Sequence, residues 1–415
     1  MGESDYFDVV VVGGGIAGGS VATALARGGL SVLVIERSTE YKDRVRGEFI
    51  APWGVLEAQR LGLLRALMDA GANPIERMYG YDEVRPADET ENGAIPLREL
   101  IPGVPGALGI GHPRACASLE AAAIRAGARV VRGVSEVVIR AGAKPAVEYA
   151  EGEATRRVGC RIVIGADGRD STVRRQLGMD IHSTEARVFL AGMLVDGVRG
   201  WDPADALIGT EGDRMFYVFP QTPSRARLYL GVRVEERQRL SGADRVASTL
   251  EGFQLRCIPD TVDIAGATPI GPCAAYPMQD TWVETVCVEG AVLVGDAGGY
   301  SDPVIGQGLS IALRDARSAA EALLAEDDWS PATFGAYNSE RAQRMRRLRF
   351  AAQLFTDGHL PVRPGDNVSR HARMAMLSGG DEQAFLTQAS TLTGPETAPE
   401  ECFSVSVRTR LLAAR

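Results

Sequence analysis

The sequence predicts an α/β fold: a parallel sheet covered by helices, with β-rich insertions and a helical C-terminal region. Three observations support this prediction. The chain opens with a strand, a glycine turn, an alanine-rich helix and a second strand. Two more strand–loop–helix units lie at residues 161–178 and 290–324, and short β-rich runs separated by Gly, Pro and Asp occupy residues 181–283. Strands that alternate with helices are typical of parallel sheets, whereas closely spaced short strands indicate a separate β-rich layer.

Composition limits the possible classes of protein. The chain has 415 residues, is 45% hydrophobic and carries a formal net charge of −9, which argues against sequence-independent binding of nucleic acid or of an anionic membrane. The six cysteines form no C-x-x-C pair and the four histidines show no metal-ligand spacing, so we expect reduced thiols and no metal site. We find neither a signal segment nor a membrane-spanning run, which predicts a cytoplasmic protein.

The first strand, residues 9–12, is a run of valines, as expected for a strand buried on both faces. The following GGGIAG matches G-x-G-x-x-G, in which the glycines permit a tight turn, a close approach to a pyrophosphate and close packing of helix on strand. The helix start offers free N–H groups to phosphates, and the second strand ends in an acid that can bind ribose hydroxyls. This unit alone does not distinguish FAD from NAD. The predicted dinucleotide contacts are Gly13, Gly15, Ile16, Ala17, Gly18 and Glu36.

A loop with two arginines, Arg44 and Arg46, follows the second strand and precedes a helix predicted to begin near Pro52. On a loop that returns toward the phosphates, both guanidinium groups would pair with anionic oxygens. The alternative is a solvated basic loop, because arginine is usually exposed.

The segment RIVIGADGRDSTVRRQLG, residues 161–178, predicts a strand, a loop and a short helix ending near Leu177. Asp167 comes at the carboxyl end of the strand, where open α/β sheets bind ligands. Ser171 is the predicted N-cap of the helix.

The segment GAVLVGDAGGYSDPVIGQGLSIALRDARSAAEALL, residues 290–324, contains a third strand that ends just before Asp296. A loop shaped by glycines and proline leads into a helix with one apolar stripe. The glycines at its start allow a flat ligand to approach, and the helix dipole would stabilise negative charge on that ligand. The predicted contacts after Asp296 are Pro303, Gly306, Gln307, Gly308 and Leu309.

Three motifs in this order, GGGIAG with Glu36, GADG at 165–168 and GD at 295–296 followed by DPVIGQG, resemble those of the p-hydroxybenzoate hydroxylase-like class A flavin-dependent monooxygenases. The resemblance implies a Rossmann-like FAD-binding domain in which the first motif holds the ADP half of FAD. It implies that Asp167 lies near the pyrophosphate and that Asp296 contacts the ribityl chain. It also assigns FAD contacts to Arg46, Arg114 and Val137.

The same resemblance implies an interleaved domain organisation. We expect residues 1–74, 106–180 and 284–325 to form the FAD-binding domain and residues 75–105 and 181–283 to form a β-rich substrate domain. The stretch 82–96 is polar and is predicted to be a hairpin tip or a mobile loop. Residues 326–415 are expected to be mainly helical, with an irregular stretch at 378–401.

The implied reaction consumes NADPH or NADH and O2 and oxygenates an aromatic or lipophilic small molecule through a flavin C4a-hydroperoxide. The flavin carries the difficult step, so no catalytic side chain is demanded and the sequence assigns none. Candidate substrate-pocket residues are four large side chains of the predicted substrate sheet, for which ordinary core packing is an equal alternative. They are Met215, Tyr217, Phe219 and Tyr229.

Several features depart from the aromatic hydroxylases. The GDAGGY segment resembles that of squalene epoxidases, prenyl reductases and halogenases. RGEFIAPWGVLEAQRLGL resembles a stretch of ubiquinone-pathway hydroxylases and squalene epoxidases, and both features put a small phenolic acid in doubt as substrate. FYVFP at 216–220 resembles a stretch of prenyl-chain reductases. A halogenase would need a W-x-W-x-I-P signature and a lysine that captures hypohalous acid. Trp201 and Trp282 lie in no such motif, and Lys42 is placed in the cofactor loop. A non-catalytic flavoprotein is the remaining alternative.

One basic segment, RAQRMRRLRF at 341–350, is interpreted as the solvated face of a helix, with a contact to the NADPH phosphate as the alternative. Arg37, directly after Glu36, is a second candidate for that contact. The sequence does not choose between NADH and NADPH, and it does not indicate an oligomeric state.

Overall fold

A computed structural model describes residues 6–45, 47–360 and 367–414. Within these ranges the helices are α1 (Ile16–Arg27), α2 (Pro52–Arg60), α3 (Leu64–Asp69), α4 (Ala87–Asn92), α5 (His112–Arg125), α6 (Thr172–Gln176), α7 (Arg245–Glu251), α8 (Gly308–Ala325), α9 (Gly335–His359), α10 (Asn367–Ala375), α11 (Glu382–Thr393) and α12 (Val405–Ala413). The strands are β1 (Tyr6–Val12), β2 (Val32–Glu36), β3 (Phe49–Ile50), β4 (Asn73–Ile75), β5 (Arg77–Asp82), β6 (Ile95–Pro96), β7 (Ala107–Gly109), β8 (Arg129–Arg132), β9 (Ser135–Arg140), β10 (Ala146–Glu151), β11 (Ala154–Gly165), β12 (His182–Ser183), β13 (Val188–Asp196), β14 (Asp205–Glu211), β15 (Arg214–Pro220), β16 (Arg225–Arg233), β17 (Thr268–Pro269), β18 (Ala274–Met278), β19 (Thr281–Trp282), β20 (Cys287–Val288) and β21 (Ala291–Leu293).

The first large sheet has the order β20-β21-β11-β1-β2-β8, and its central strands β21, β11, β1, β2 and β8 are mutually parallel. Residues 9–12 of β1 are buried, as expected for a central strand of a parallel sheet. Helix α1 packs against both α5 and α8. The predicted Rossmann-like α/β architecture is confirmed.

The second large sheet has the order β17-β13-β16-β15-β14-β5-β6, with β18 added to β13, and it is mainly antiparallel. Alternate residues of β15 enter two different apolar clusters. Tyr217 and Phe219 belong to the cluster shared with α8 and α9, whereas Phe216 and Val218 belong to a separate core on the opposite face. This alternation follows from the two-residue period of a strand.

Two expectations about local structure need correction. The polar stretch 82–96 connects the antiparallel strands β5 and β6, as expected for a hairpin, but it also contains helix α4, whose first turn carries Asp88 and Glu89, acids that favour a helix N-terminus. The stretch 378–401 contains α11, which begins where the Asp381 carboxylate accepts a hydrogen bond from the N–H of Ala384 at 3.0 Å.

The basic segment 341–350 is not a solvated face. Arg341, Arg344 and Arg347 lie on the buried side of α9. They recur every three residues, which puts them on one side of the helix. Their carboxylate partners Asp315 and Glu400 come from α8 and from the segment before α12. Ion pairing with distant acids therefore accounts for their burial.

The predicted short helix after Asp167 is confirmed: Ser171 Oγ accepts a hydrogen bond from the N–H of Arg174 at 2.9 Å, at the N-terminus of α6. The helices expected near Pro52 and Gly308 are confirmed as α2 and α8. All six cysteines are free thiols. The division of the chain into domains stays a prediction.

Candidate cofactor and substrate site

A cavity of about 1300 Å³ extends from the carboxyl ends of β1, β2 and β11 to the second sheet and on to helices α9 and α11. Open α/β sheets bind ligands at this edge. The cavity therefore joins the predicted dinucleotide site to a second space without interruption.

In the glycine turn after β1, the three motif glycines have different surroundings. Gly13 has φ of +105°, and a Cβ added to it would lie 2.4 Å from the carbonyl oxygen of Ala166. A Cβ on Gly18 would lie 1.8 Å from the carbonyl oxygen of Gly13, so this glycine serves the packing of α1 on β1. A Cβ on Gly15 would meet nothing within 4 Å. Gly15 therefore leaves open space in the cavity for a ligand.

The start of α1 can bind an anion. Its N-cap, Gly15, supplies no side-chain hydrogen bond to the first turn, and Ile16 and Ala17 line the cavity. Unpartnered N–H groups at a helix start attract phosphate. The open turn and the free helix start together fit the pyrophosphate of a dinucleotide.

Glu36 lies at the end of β2, beside this turn. One carboxylate oxygen accepts a hydrogen bond from the N–H of Gly14 at 2.7 Å, and the other accepts one from the N–H of Ser38 at 2.8 Å. These bonds fix the carboxylate at the cavity wall, and each oxygen keeps a second lone pair for a ribose hydroxyl. Arg37 and Val137 line the same end of the cavity.

Asp167 and Asp296 both line the cavity, but their carboxylates have different partners. Asp167 accepts hydrogen bonds from Ser171 Oγ and from the N–H groups of Thr172 and Val173, and so caps α6. Asp296 accepts one from Nε of Arg169 at 3.3 Å. Asp167 therefore shapes the wall, whereas Asp296 is half of an ion pair that a ligand can reach.

The start of α8 is the second glycine-lined surface. Gly306 has φ of +64°, in the left-handed region. The Gln307 side chain turns away from α8, because its oxygen accepts from Nε1 of Trp53 at 2.8 Å and its nitrogen donates to the Ile305 carbonyl at 2.5 Å. A Cβ on Gly308 would meet nothing within 4 Å. A flat ring system can approach this helix start.

Aromatic side chains of the second sheet form the opposite wall. Phe219 stacks on Phe49 with ring centroids 4.8 Å apart. The Tyr217 hydroxyl donates to the Val304 carbonyl at 3.0 Å, and the Tyr229 hydroxyl donates to the buried Glu48 carboxylate at 2.5 Å. Burial raises the pKa of both tyrosines well above the usual value. Both stay neutral and present apolar ring surface to the cavity.

A buried ion cluster supports that wall. The Arg227 guanidinium lies 2.6 Å from the Asp43 carboxylate and 3.0 Å from the Glu48 carboxylate. Burial raises the pKa of Glu48, although Arg227 and the Tyr229 hydroxyl act in the opposite direction. The cluster fastens the loop before β3 to β16.

The structure brings most of the predicted site residues to one cavity. Gly18 serves packing, Arg114 is exposed on α5, and Met215 is buried in the core beyond the cavity, so these three do not line it. Arg46 lies outside the described residues. The predicted residues that line the cavity are Gly13, Gly15, Ile16, Ala17, Glu36, Arg37, Val137, Asp167, Asp296, Pro303, Gly306, Gln307, Gly308, Leu309, Tyr217, Phe219 and Tyr229.

Sequence reasoning missed several lining residues. Arg169 directly follows the GADG motif, and this position was the only signal for it. Glu48 lies in the RGEF stretch, whose resemblance to other families pointed to the region but not to this side chain. Phe355 and His359 come from α9, which is far from every motif in the sequence.

The described residues hold no group of three or more His, Cys, Asp or Glu placed to bind a metal ion. Across the same residues, no helix combines the length and the apolar character needed to cross a membrane.

The sequence model of one family, described as FAD binding domain, matches residues 6–351. Digeranylgeranylglycerophospholipid reductase 1 of Methanopyrus kandleri is 28% identical over 82% of this chain and 87% of its own. Menaquinone reductase of Mycobacterium tuberculosis is 28% identical over 79% of each chain. Squalene epoxidase 3 of Arabidopsis thaliana is 25% identical over 74% of this chain and 58% of its own.

Two solved structures illustrate the similarity of fold. Aklavinone-11 hydroxylase, in a complex with FAD and aklavinone, gives a TM-score of 0.70 at 20% identity over 87% of this chain and 70% of its own. A flavin-dependent brominase gives a TM-score of 0.74 at 18% identity over 98% of this chain and 97% of its own.

Proposed function

The chain belongs to the FAD binding domain family, the family of the class A flavin-dependent monooxygenases, and from this premise we propose its reaction. We propose that it uses NAD(P)H and O2 to hydroxylate or epoxidise an aromatic or polycyclic small molecule. One observation carries the proposal: a single cavity joins the glycine-lined dinucleotide site to an apolar, aromatic-walled space.

In this proposal the chain binds FAD through groups that are already positioned. The N–H groups at the start of α1 would hold the pyrophosphate, and Glu36 would accept hydrogen bonds from the adenosine ribose. The glycine-lined start of α8 would hold the flavin ring, where the helix dipole would stabilise negative charge, and Asp296 would accept a hydrogen bond from the ribityl chain. When bound, FAD supplies hydride acceptance from NAD(P)H and the activation of dioxygen.

The protein's own contribution to the reaction is orientation and exclusion of water. Tyr217, Phe219 and Tyr229 offer ring faces against which an aromatic substrate can pack. Two of these side chains, Tyr217 and Tyr229, leave no free hydroxyl to hold water at this wall, because buried acceptors engage both groups. A water-excluded site protects a reactive oxygen species from hydrolysis and proton leakage.

The remaining features of the proposal concern organisation and setting. Residues 75–105 and 181–283 act as the substrate domain, and residues 1–74, 106–180 and 284–325 hold FAD. The proposal takes the protein to be cytoplasmic and to act in secondary metabolism. It does not choose between NADH and NADPH.

A reductase that saturates prenyl chains or quinones is the second candidate. The names of two relatives, a digeranylgeranylglycerophospholipid reductase and a menaquinone reductase, favour it. The FYVFP stretch, which resembles prenyl-chain reductases, points the same way. A halogenase is disfavoured because the lysine that such an enzyme requires is missing: among the described lining residues the only lysine is Lys42, at the nucleotide end.

Anaerobic reduction of the bound flavin tests whether the protein turns over at all. The FAD-loaded protein is mixed with NADPH or NADH, with and without an aromatic ligand such as 2-naphthol, and flavin absorbance is followed. We expect one of the two nucleotides to bleach the flavin. A flavin that stays oxidised with both nucleotides, with and without ligand, would identify a non-catalytic flavoprotein and would overturn the proposal.

A further inference from the structure

The cavity continues past the aromatic wall into a second space, which we call the distal arm. It lies between the second sheet and the C-terminal helices. Apolar side chains that pack together form most of its lining, and such a lining favours an apolar ligand. These side chains are Met78, Leu100, Ile208, Phe355 and Leu392.

His359, the last residue of α9, is a polar group in this apolar lining. Its ring stacks on Phe355, with centroids 3.8 Å apart. Its Nδ1 lies 2.9 Å from the carbonyl oxygen of Phe355, one helical turn earlier. The stacking and the hydrogen bond together fix the orientation of the imidazole.

The hydrogen bond also determines which nitrogen carries the proton. A carbonyl oxygen can only accept, so Nδ1 is the donor. Burial lowers the pKa of His359 to about 4, with Asp82 and Arg85 as the charged groups that act on it. The ring is therefore neutral near pH 7, and Nε2 holds an exposed lone pair on the edge opposite the helix backbone. Within the described residues no hydrogen bond to Nε2 is present.

Thr90, on α4, is a second polar group in the cavity lining. Its side chain is 3% exposed, and its hydroxyl has no hydrogen-bond partner among the described residues. An unpartnered buried hydroxyl is costly unless a ligand completes it. Arg85, also in the lining, is already bound by the Asp82 carboxylate and the Gly80 carbonyl, both at 2.8 Å. In the distal arm, His359, Thr90 and Arg85 therefore offer little net charge to an ionised ligand.

We propose that the Nε2 atom of His359 accepts a hydrogen bond from a hydroxyl group at the flavin-distal end of the substrate. The inference rests on the proposed function, since it takes the cavity as the substrate site. The ligand chemistry is an apolar body, polycyclic or isoprenoid, with a neutral hydroxyl at its far end. A carboxylate or a methyl ether does not meet this requirement, because neither donates a hydrogen bond at neutral pH.

Matched probes test the inference without turnover. 2-Hydroxyanthraquinone is compared with 2-methoxyanthraquinone, and farnesol with farnesyl methyl ether. Each is titrated into the FAD-loaded protein in the absence of NAD(P)H, and binding is followed as a change in flavin absorbance. We expect the hydroxyl form of at least one pair to bind about tenfold more tightly than its ether, the effect of one hydrogen bond in a dry site.

Two variants assign that preference to one atom. His359→Phe keeps a flat ring on Phe355 but removes the acceptor, and we expect the two members of the pair to bind it equally. His359→Gln keeps an acceptor oxygen, and we expect part of the preference to return. Thermal melting and FAD content show whether each variant is folded and loaded.

Three results would overturn the inference: equal binding of hydroxyl and ether by the unmodified protein, no binding of either pair, or a preference that survives in His359→Phe. Failure of the proposed function is distinguishable from all three. It would appear as a protein that does not retain FAD, or as one that shows the hydroxyl preference but does not oxidise NAD(P)H.

Discussion

The carboxylate of Asp315 on α8 accepts a hydrogen bond from Nε of Arg341 on α9 at 2.8 Å, and both side chains are buried. Asp315 also accepts from the N–H of Gly295 at 2.8 Å, and Arg341 donates to the carbonyls of Gly298 and Gly299 at 2.9 Å each. Two helices thereby hold the loop that carries Asp296. The cofactor site depends on a buried ion pair that contacts no cofactor in our proposal.

Removing the charge of Asp315 is expected to destabilise the protein strongly. In Asp315→Asn, Arg341 and Arg344 lose the buried carboxylate that both contact. An uncompensated buried charge lowers the free energy of unfolding by about 3–5 kcal/mol. Urea unfolding measures this loss of free energy. The control is Glu321→Gln, which breaks an ion pair at the exposed Glu321 on the same helix and should cost less than about 1 kcal/mol. Equal losses in the two variants would refute this role of Asp315.

Substitutions at two glycines of the first motif should affect folding and cofactor binding separately. Gly18→Ala puts a Cβ against the Gly13 carbonyl, so we expect a lower melting temperature and impaired folding. Gly15→Ala meets no protein atom within 4 Å and has an ordinary backbone conformation, so the fold should persist. Its methyl group fills the proposed pyrophosphate space, and FAD affinity should fall. Thermal melting and FAD titration give both quantities. A Gly15→Ala variant that binds FAD normally would contradict the proposed placement.

The raised pKa of Asp302 predicts that the stability of the protein depends on pH. Burial raises its pKa to about 7, and the neighbouring Asp280 carboxylate adds to the effect, while Arg187 and Arg169 oppose it. The unfolded chain releases this proton near pH 4, so between pH 4 and 7 the folded protein binds more protons. The contribution of Asp302 to the free energy of unfolding must then decrease as pH rises through that range.

The variant Asp302→Asn isolates this effect. Asparagine keeps an oxygen that can accept the hydrogen bond from the N–H of Val304, which Asp302 accepts at 2.9 Å. We expect the variant to gain stability relative to the parent as pH rises from 5 to 8, measured by urea unfolding. A difference between the two proteins that does not change with pH would show that Asp302 does not titrate in this range.

The two tyrosines of the aromatic wall should differ in their contribution to stability. Tyr229→Phe removes a hydrogen bond to the buried carboxylate Glu48, whereas Tyr217→Phe removes one to the neutral carbonyl of Val304. Hydrogen bonds to charged groups contribute about 1.5–3 kcal/mol and neutral ones about 0.5–1.5 kcal/mol. Tyr229→Phe should therefore be the more destabilising substitution in urea unfolding. The reverse order would indicate that Glu48 is protonated in the folded protein.

Local spacing predicted the parts of the site that one short segment builds. The glycine turn, the end of β2 and the start of α8 are of this kind, and so is the shared face of Tyr217 and Phe219. Met215 obeys the same alternation but lies beyond the end of the cavity. Where the cavity ends along the strand depends on strand register, which the hydrophobic pattern does not reveal.

Contacts between distant segments were not predictable from the sequence. In the sequence, the arginines of α9 resemble a solvated basic face, because their acidic partners lie on α8 and in the segment before α12. His359 follows no motif, and its place in the cavity lining depends on how α9 packs against the second sheet. Helix α11 has a weak apolar pattern, so its polar composition resembled that of a loop.

The central claim, oxygen insertion, is tested most directly by isotope labelling. The FAD-loaded protein is incubated with NADPH or NADH, bromide and a panel of phenols, indoles, polycyclic quinones and prenyl chains, in ordinary or 18O-labelled dioxygen. We expect a product heavier by about 16 Da, and by about 18 Da with the label, because one oxygen atom comes from O2. A product that has gained two hydrogen atoms and no label would identify a reductase, and a bromine isotope doublet would identify a halogenase. Either result would contradict the monooxygenase assignment.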